Sequence, residues 1–381
     1  MNARAAQFPP VSSLVYLSRL LLQPPAGDLP LSLAASSLDA EALKLSRGEF
    51  DEVLSFAHSN HVVVRGLERL LALARVEPAR VELAHVEQSA GWIELAESAL
   101  SSEKARIASA LYRLHEVCAA FQNRGHAVMV IKTLDHWPDF GSDMDLFTNA
   151  QPDEVSRLMA ECFSARIAPR SWGDHLANKW NFLLPELPEP VEIHVGRLGQ
   201  TGEQVEVASS LPERARQVDV GGYRFTVASI SDRIMISTLQ RMYRHFNIRL
   251  CDMVDNAAIA DAGLIDYEEL STLAESANIW EGVATYLAIV SDYVKTYRGY
   301  PLDLPHFVLD AARFRGEKIY YAKGFLRVPI MPHSARLYGS QFAHVLGRGE
   351  LENGARLSLL PLLGTAAMAA ERLTGSDKGV W

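Results

Sequence analysis

Asp143-Met144-Asp145 and, further along, Glu192 are the residues whose types and spacing could do chemistry. Two aspartates two positions apart at the opening of a β-like run point to one face. Glu192 sits in Val191-Glu-Ile-His-Val195, where strand alternation buries the apolar residues and turns Glu192 and His194 to the opposite face. Like-charged carboxylates on one face of a buried sheet are costly unless a cation joins them. Hard divalent ions with oxygen ligands, Mg²⁺ above all, are the usual partner. Three carboxylates converging from neighbouring strands can hold two such ions about 3.5–4 Å apart, the geometry of in-line phosphoryl or nucleotidyl displacement. The competing account is a set of solvated strand-end carboxylates paired to Arg or Lys.

The elements that must position these groups follow from hydrophobic period. His126 to Ile131 is a short continuous apolar run, the mark of a buried strand, and Lys132-Thr133 closes it. A strand end followed by a short helix would present free N–H groups to an anion, with Lys132 adding a point charge and Thr133 a hydroxyl for phosphate oxygens. Gly141-Ser142 reads as a turn into a second strand, Met144 to Thr148. Pro152 to Phe163 has helical spacing. Trp180 to Leu184 and Val191 to Val195 read as a hairpin across the Pro-rich residues 185–190, and Gly221-Gly222 opens a strand, Tyr223 to Val227. Upstream the pattern is helical: Asp51 to Ala74, then Ser101 to Asn123 with Gly125 as its stop. Downstream, Ser231 is placed to cap a helix Asp232 to His245, followed by Arg249 to Ala262, Asp266 to Ala277 and Trp280 to Tyr297. The expected fold class is α+β, a small mixed sheet flanked by helical regions. The regions are 1–115 (helical), 116–230 (α/β core) and 231–381 (helical).

Composition bounds the partners. The chain has 381 residues, 48% apolar and 22% charged, which excludes a disordered chain. Its 46 acidic against 37 basic residues give a net charge of −9, so no cationic field covers the molecule and broad nucleic-acid binding is disfavoured. Three scattered cysteines, Cys118, Cys162 and Cys251, without CxxC spacing, argue against a disulfide framework or a zinc-thiolate site and for a reducing, cytoplasmic setting. Leu14 to Leu22 is interrupted by Ser18 and Arg19 and lacks a cleavage pattern, so it is not read as a signal peptide. Residues 357–370 are uncharged but fall short of the ~20 residues that span a bilayer, so a buried or interfacial helix is expected there and membrane contact is not.

Strand, small hydroxyl residue, a short spacer and then Asp-h-Asp-h resembles the signature of the DNA polymerase β-like nucleotidyltransferase superfamily. Within it the chain resembles the bacterial "uncharacterised nucleotidyltransferase" family. That family has a Leu-Lys-Gly strand end, a Gly-Asp-h-Asp-Leu-hydrophobic motif and a later h-Glu-h-His strand. Here these read Ile131-Lys132-Thr133, Ser142-Asp143-Met144-Asp145-Leu146-Phe147 and Val191-Glu192-Ile193-His194. Ala57-His58-Ser-Asn-His61-Val62 and Arg249-Leu-Cys-Asp252-Met-Val-Asp255 also look similar, and the likeness runs over roughly residues 45 to 265. Thr133 departs from the family's usual Gly, which lets backbone approach phosphate closely.

The resemblance implies a minimal nucleotidyltransferase sheet and a Mg²⁺-dependent enzyme, with two ions (Mn²⁺ as an alternative) and ATP or another NTP as co-substrate. It would move an NMP to a small-molecule or peptide/protein acceptor and release pyrophosphate. Asp143 and Asp145 would hold both ions, with Glu192 joining the catalytic one and helping to deprotonate the acceptor. Lys132 and Thr133 would touch the departing pyrophosphate, and Ser142, His194, Arg249 and Asp252 would complete the nucleotide site. The alternatives are a non-catalytic binding or assembly protein on the same fold, or a toxin-like enzyme acting on tRNA or protein. His194 reads equally as a structural histidine, and Arg249, Asp252 and Asp255 as an intrahelical ion-paired face. His58 and His61 are assigned to packing or capping, and Arg241, Arg244 and His245 to a solvated face. Arg170, Trp172, His175, Lys179 and Trp180 form a basic-aromatic stretch that either covers a nucleotide or is an edge loop.

Overall fold

The computed structural model describes residues 12–22, 45–76, 83–185 and 187–374. Its centre is a seven-stranded mixed sheet built from β1 (Val128–Val130), β2 (Met144–Thr148), β3 (Arg166–Ile167), β4 (Lys179–Leu183), β5 (Val191–Val195), β6 (Arg216–Val220) and β7 (Tyr223–Val227). The spatial order is β3-β4-β5-β2-β1-β7-β6. β2 pairs parallel to β5 and β1 parallel to β7; the other contacts are antiparallel. The fold class is therefore α+β with a mixed sheet.

Strand alternation divides the sheet between two layers. Val128, Val130, Leu146, Val191, Ile193 and Val195 face one core, filled from outside by Leu111, Leu114 and Phe121 of the helix Leu83–Asn123. Met129, Ile131 and Phe147 face the other core, and Asp145, Glu192 and His194 share their side of the sheet by the same alternation. The charged cluster and this second core therefore lie on the same side of the sheet.

The two helical regions share one core. Leu14 and Leu17 of the helix Ser12–Leu22 pack in the same cluster as Tyr286, Ile289 and Tyr293 of the helix Trp280–Arg298, and Ser18 Oγ lies 2.5 Å from the Tyr293 hydroxyl. Each such leucine, buried to about 1% exposure, contributes roughly 1.5–3 kcal/mol of transfer free energy.

Several expected elements are redrawn. The helical run over 51–74 is two helices, Arg47–Ser59 and Val63–Val76, because Asn60 ends the first and His61 is left-handed (φ 53°). Asn60 Oδ1 accepts the Leu250 N–H at 3.0 Å, which ties this break to the C-terminal helices. The helix ending at Asn123 begins at Leu83, well before Ser101, and Gly125 (φ 78°) ends it as expected. Ser229, not Ser231, caps the helix Ile230–Thr238, since its Oγ accepts the Asp232 N–H at 3.1 Å; Ser231 lies inside and donates to Glu269 at 2.6 Å. That helix continues as a π turn, Leu239–Arg244. Residues 133–138 are turns rather than the expected short helix, so the strand end at Lys132 is not followed by a helix N-terminus. A second small sheet, β8 (Asn247–Ile248), β9 (Tyr320–Ala322) and β10 (Phe325–Arg327), carried no clear period. Residues 357–370 fall in two helices, Leu351–Ser358 and Leu360–Thr374, and no described helix is long and apolar enough to cross a membrane.

Candidate active site

The register of β2 and β5 sets Asp145 directly beside Glu192, and both side chains are buried. Asp143 stands one residue before β2, half-buried. His194 follows two residues after Glu192 on the same face, and its Nε2 lies 2.9 Å from Glu192 Oε1 and 3.9 Å from Asp145 Oδ1. Thr133 holds the entrance of β2 in place. Its Oγ1 accepts the Asp145 N–H at 2.6 Å and donates to the Asp143 carbonyl at 3.4 Å. Thr133 is 3% exposed, and its hydroxyl serves the β2 backbone inside the protein. Ser142 is exposed, and its hydroxyl bonds the Asp143 carboxylate.

Two lysines enter the cluster from opposite sides. Lys132 follows β1 with a left-handed backbone (φ 62°), a conformation that costs a residue with a Cβ about 1–2 kcal/mol. Its ammonium contacts Asp145 and lies 3.3 Å from Glu192 Oε1. Lys179, which β4 places opposite His194, reaches Glu192 Oε2 at 3.0 Å and Asp174 Oδ1 at 2.8 Å. Lys179 was legible only as part of a basic-aromatic stretch; the signal that identifies it is its parity on β4, which turns it toward Glu192. Arg170 in that stretch is structural: it donates to the Lys179 and Asp174 carbonyls at 2.9 Å and lies over the Trp180 ring. Trp172 is exposed.

Charge follows from this packing. Burial pushes the Asp143 carboxyl up, and Asp145 and Glu192 add repulsion in the same direction. Burial also acts to raise Glu192, but Lys132, Lys179 and the His194 bond outweigh it and hold the carboxyl well below its usual range. Burial works against the Lys132 ammonium, and the Asp145 and Glu192 charges more than restore it.

The donor set suits a hard divalent ion in part. Ligand atoms of Asp145, Glu192 and His194 lie within 4.8 Å of one another, and Asp145 Oδ1 is buried without a hydrogen-bond partner among the described residues, facing the Lys132 ammonium and, at 3.9 Å, His194 Nε2. Carboxylate oxygens are the ligands Mg²⁺ prefers. Asp143 lies outside that tight group, and both oxygens of Glu192 are already engaged.

A second polar layer lies behind the first. Asp252 is 2% exposed; it accepts the Arg249 N–H at 2.7 Å and binds the Arg241 guanidinium at 2.7 and 3.1 Å. Its carboxylate is thus engaged within the protein, by the Arg249 backbone and the Arg241 guanidinium. Arg241 is buried in that pair, which corrects its assignment to a solvated face. Asp255 binds Arg65 and lies 2.5 Å from His136 Nδ1, while Arg65 also donates to Asp139 at 2.6 Å. The expected intrahelical pairing of Arg249, Asp252 and Asp255 is replaced by these bonds between elements. The Arg249 side chain lies 2.9 Å from His61 Nε2 and feels the charge of Asp143. Burial beside Arg249 and His136 lowers His61 to about 2, so it is neutral, and His58 is exposed. His136, Cys251 and Asp252 also come within 4.8 Å, but the arginine on Asp252 leaves that set short of a third ligand.

A cleft opens beside Lys132 and His194, walled by Leu198, Gln200, Glu203, Leu239, Arg244 and Leu360. Residues 357–370 therefore contribute a wall of the cleft through Leu360. No protein-family model, curated protein or solved structure matches the chain.

Proposed function

We propose that the protein is a divalent-metal-dependent nucleotidyltransferase that moves a nucleoside monophosphate from an NTP to an acceptor and releases pyrophosphate. The observation that carries this reading is the parallel pairing of β2 with β5. It brings Asp145 beside Glu192 on one face, with Asp143 at the strand entrance and Lys132 at the end of β1.

Asp143 and Asp145 would hold Mg²⁺ or Mn²⁺. When bound, the ion neutralises the triphosphate and stabilises the leaving pyrophosphate. Thr133 keeps the two aspartates in fixed relation through the β2 backbone. His194 lines the cleft, with Nε2 on Glu192 and a buried Nδ1 that has no hydrogen-bond partner among the described residues. In this reading His194 would take the proton of an acceptor hydroxyl as its oxygen attacks the α-phosphorus and pyrophosphate departs, while Glu192 orients the imidazole. The acceptor is a small molecule or one site on a peptide or protein, since the chain is acidic.

A second reading, a non-catalytic binding protein on this fold, is favoured by one observation: Lys132, Lys179 and His194 already satisfy Glu192. Thermal shift with each NTP, with and without Mg²⁺, separates the two. The enzyme is stabilised by an NTP only in the presence of the ion. Equal response with and without Mg²⁺, or none to any NTP, would favour the binding protein.

A further inference from the structure

The Lys132 ammonium lies across two carboxylates of adjacent strands, touching Asp145 and standing 3.3 Å from Glu192 Oε1. That is the place an ion bridging β2 and β5 would take. The backbone is left-handed at this residue, a conformation glycine would adopt without strain, so the chain holds a side chain here against its local preference. Glu192 has no oxygen to spare: Oε1 meets Lys132 and His194, and Oε2 meets Lys179.

We propose that the Lys132 ammonium is a built-in cation standing in for one of two divalent ions, so that the centre takes a single ion on Asp143 and Asp145. The proposal rests on the reading of those two aspartates as ion ligands. Formal charge agrees with it. Asp174 and Lys179 cancel each other, and Asp143, Asp145 and Glu192 set against Lys132 leave two negative charges. One divalent ion neutralises these groups; a second would leave them cationic, the more so with Arg244 beside Lys132 and Arg249 near Asp143. An ammonium supplies charge but no coordination, so it screens Asp145 from Glu192 without binding a water or a phosphate oxygen as a metal does. Glu192 then anchors Lys132 and orients His194 and is not an ion ligand.

The test is the number of Mn²⁺ ions bound per chain, read from the electron paramagnetic resonance of free Mn²⁺, with the metal alone as probe. Wild type binds one. Lys132→Met binds two, because Asp145 and Glu192 now share an uncompensated site, and adding Glu192→Gln returns the count to one. Two ions on wild type, or the same count on wild type and Lys132→Met, zero included, overturns the proposal. If Lys132→Met does not fold, Lys132→Gly, which takes the left-handed backbone freely, is melted with and without Mn²⁺. Its rise in Tm exceeds that of wild type; an equal or smaller rise overturns the proposal. Failure of the nucleotidyltransferase reading looks different: the counts follow expectation, yet no NTP with Mn²⁺ is bound or turned over.

Discussion

Thr133→Val is the substitution that most sharply separates a structural hydroxyl from a phosphate-binding one. Valine matches threonine in shape and removes only the hydroxyl. In this structure that hydroxyl accepts the Asp145 N–H at 2.6 Å, and Thr133 is 3% exposed, so no water can replace it without repacking. Orphaning a buried N–H costs about 1–3 kcal/mol, and a loss near 2 kcal/mol is expected here. For a chain of 381 residues, at about 2.1 cal/mol/K of unfolding entropy per residue, that corresponds to roughly 2–3 °C in Tm. Thr133→Ser keeps the hydroxyl and loses one methyl, worth about 0.8 kcal/mol. Urea denaturation and thermal melts of the three proteins, without nucleotide, measure this. A valine variant within ~0.5 kcal/mol of wild type, or a serine variant as damaged as the valine one, refutes the assignment. Such a result would return Thr133 to the phosphate-binding role that its place after the first strand suggests.

Other outcomes follow from the buried charges. Asp255→Asn should cost about 3 kcal/mol, because it leaves Arg65 and His136 facing a neutral amide; a change in urea midpoint worth under ~1 kcal/mol would contradict this. His136 is held well above its ordinary range: burial opposes its charge, but Cys251 and Asp255 outweigh it, with Arg65, Asp135 and His61 also nearby. Its stabilisation is therefore complete below about pH 6.5 and lost as pH rises through the folded value. Melts from pH 6 to 9 should show wild type losing more Tm than His136→Gln, and parallel losses would count against the pair. Burial raises Asp174, but Lys179 and Ser171 outweigh it and hold the carboxyl below its usual range. Lys179→Met should thus cost about 3 kcal/mol at pH 7, a loss that shrinks toward pH 4 as the stranded carboxyls protonate; a loss of equal size at pH 4.5 and 7.5 would sink it.

How much of this was legible in the sequence depended on what each signal encodes. β2, β5, β7 and the helix Pro152–Phe163 lie where apolar period places them, because their buried residues recur at the period of the element. β6, a polar edge strand with Arg216, Gln217 and Asp219 exposed, carries no such signal. Parity assigned Asp143 with Asp145, and Glu192 with His194, to one face of each strand, but the meeting of Asp145 with Glu192 depends on the pairing of β2 with β5, and Asp143 lies outside the tight group. Lys179 could not be placed with them, because its approach to Glu192 depends on the antiparallel register of β4 against β5. Arg241 looked solvated in a polar helical run; its burial becomes intelligible only with Asp252 from another helix. Likewise, period told which faces of the N- and C-terminal helices are apolar, and left open that they cover one another.

The central claim, nucleotidyl transfer at a carboxylate-held ion, is tested most directly by pyrophosphate release. Wild type and Asp145→Asn are assayed with each of the four NTPs and Mg²⁺, against cell extract and candidate small-molecule and peptide acceptors. Wild type should release pyrophosphate with at least one NTP in an acceptor-dependent manner. Asp145→Asn should be slower by about a hundredfold or more, the loss expected when an ion's charge stabilisation is removed. Equal release by wild type and variant would contradict the account.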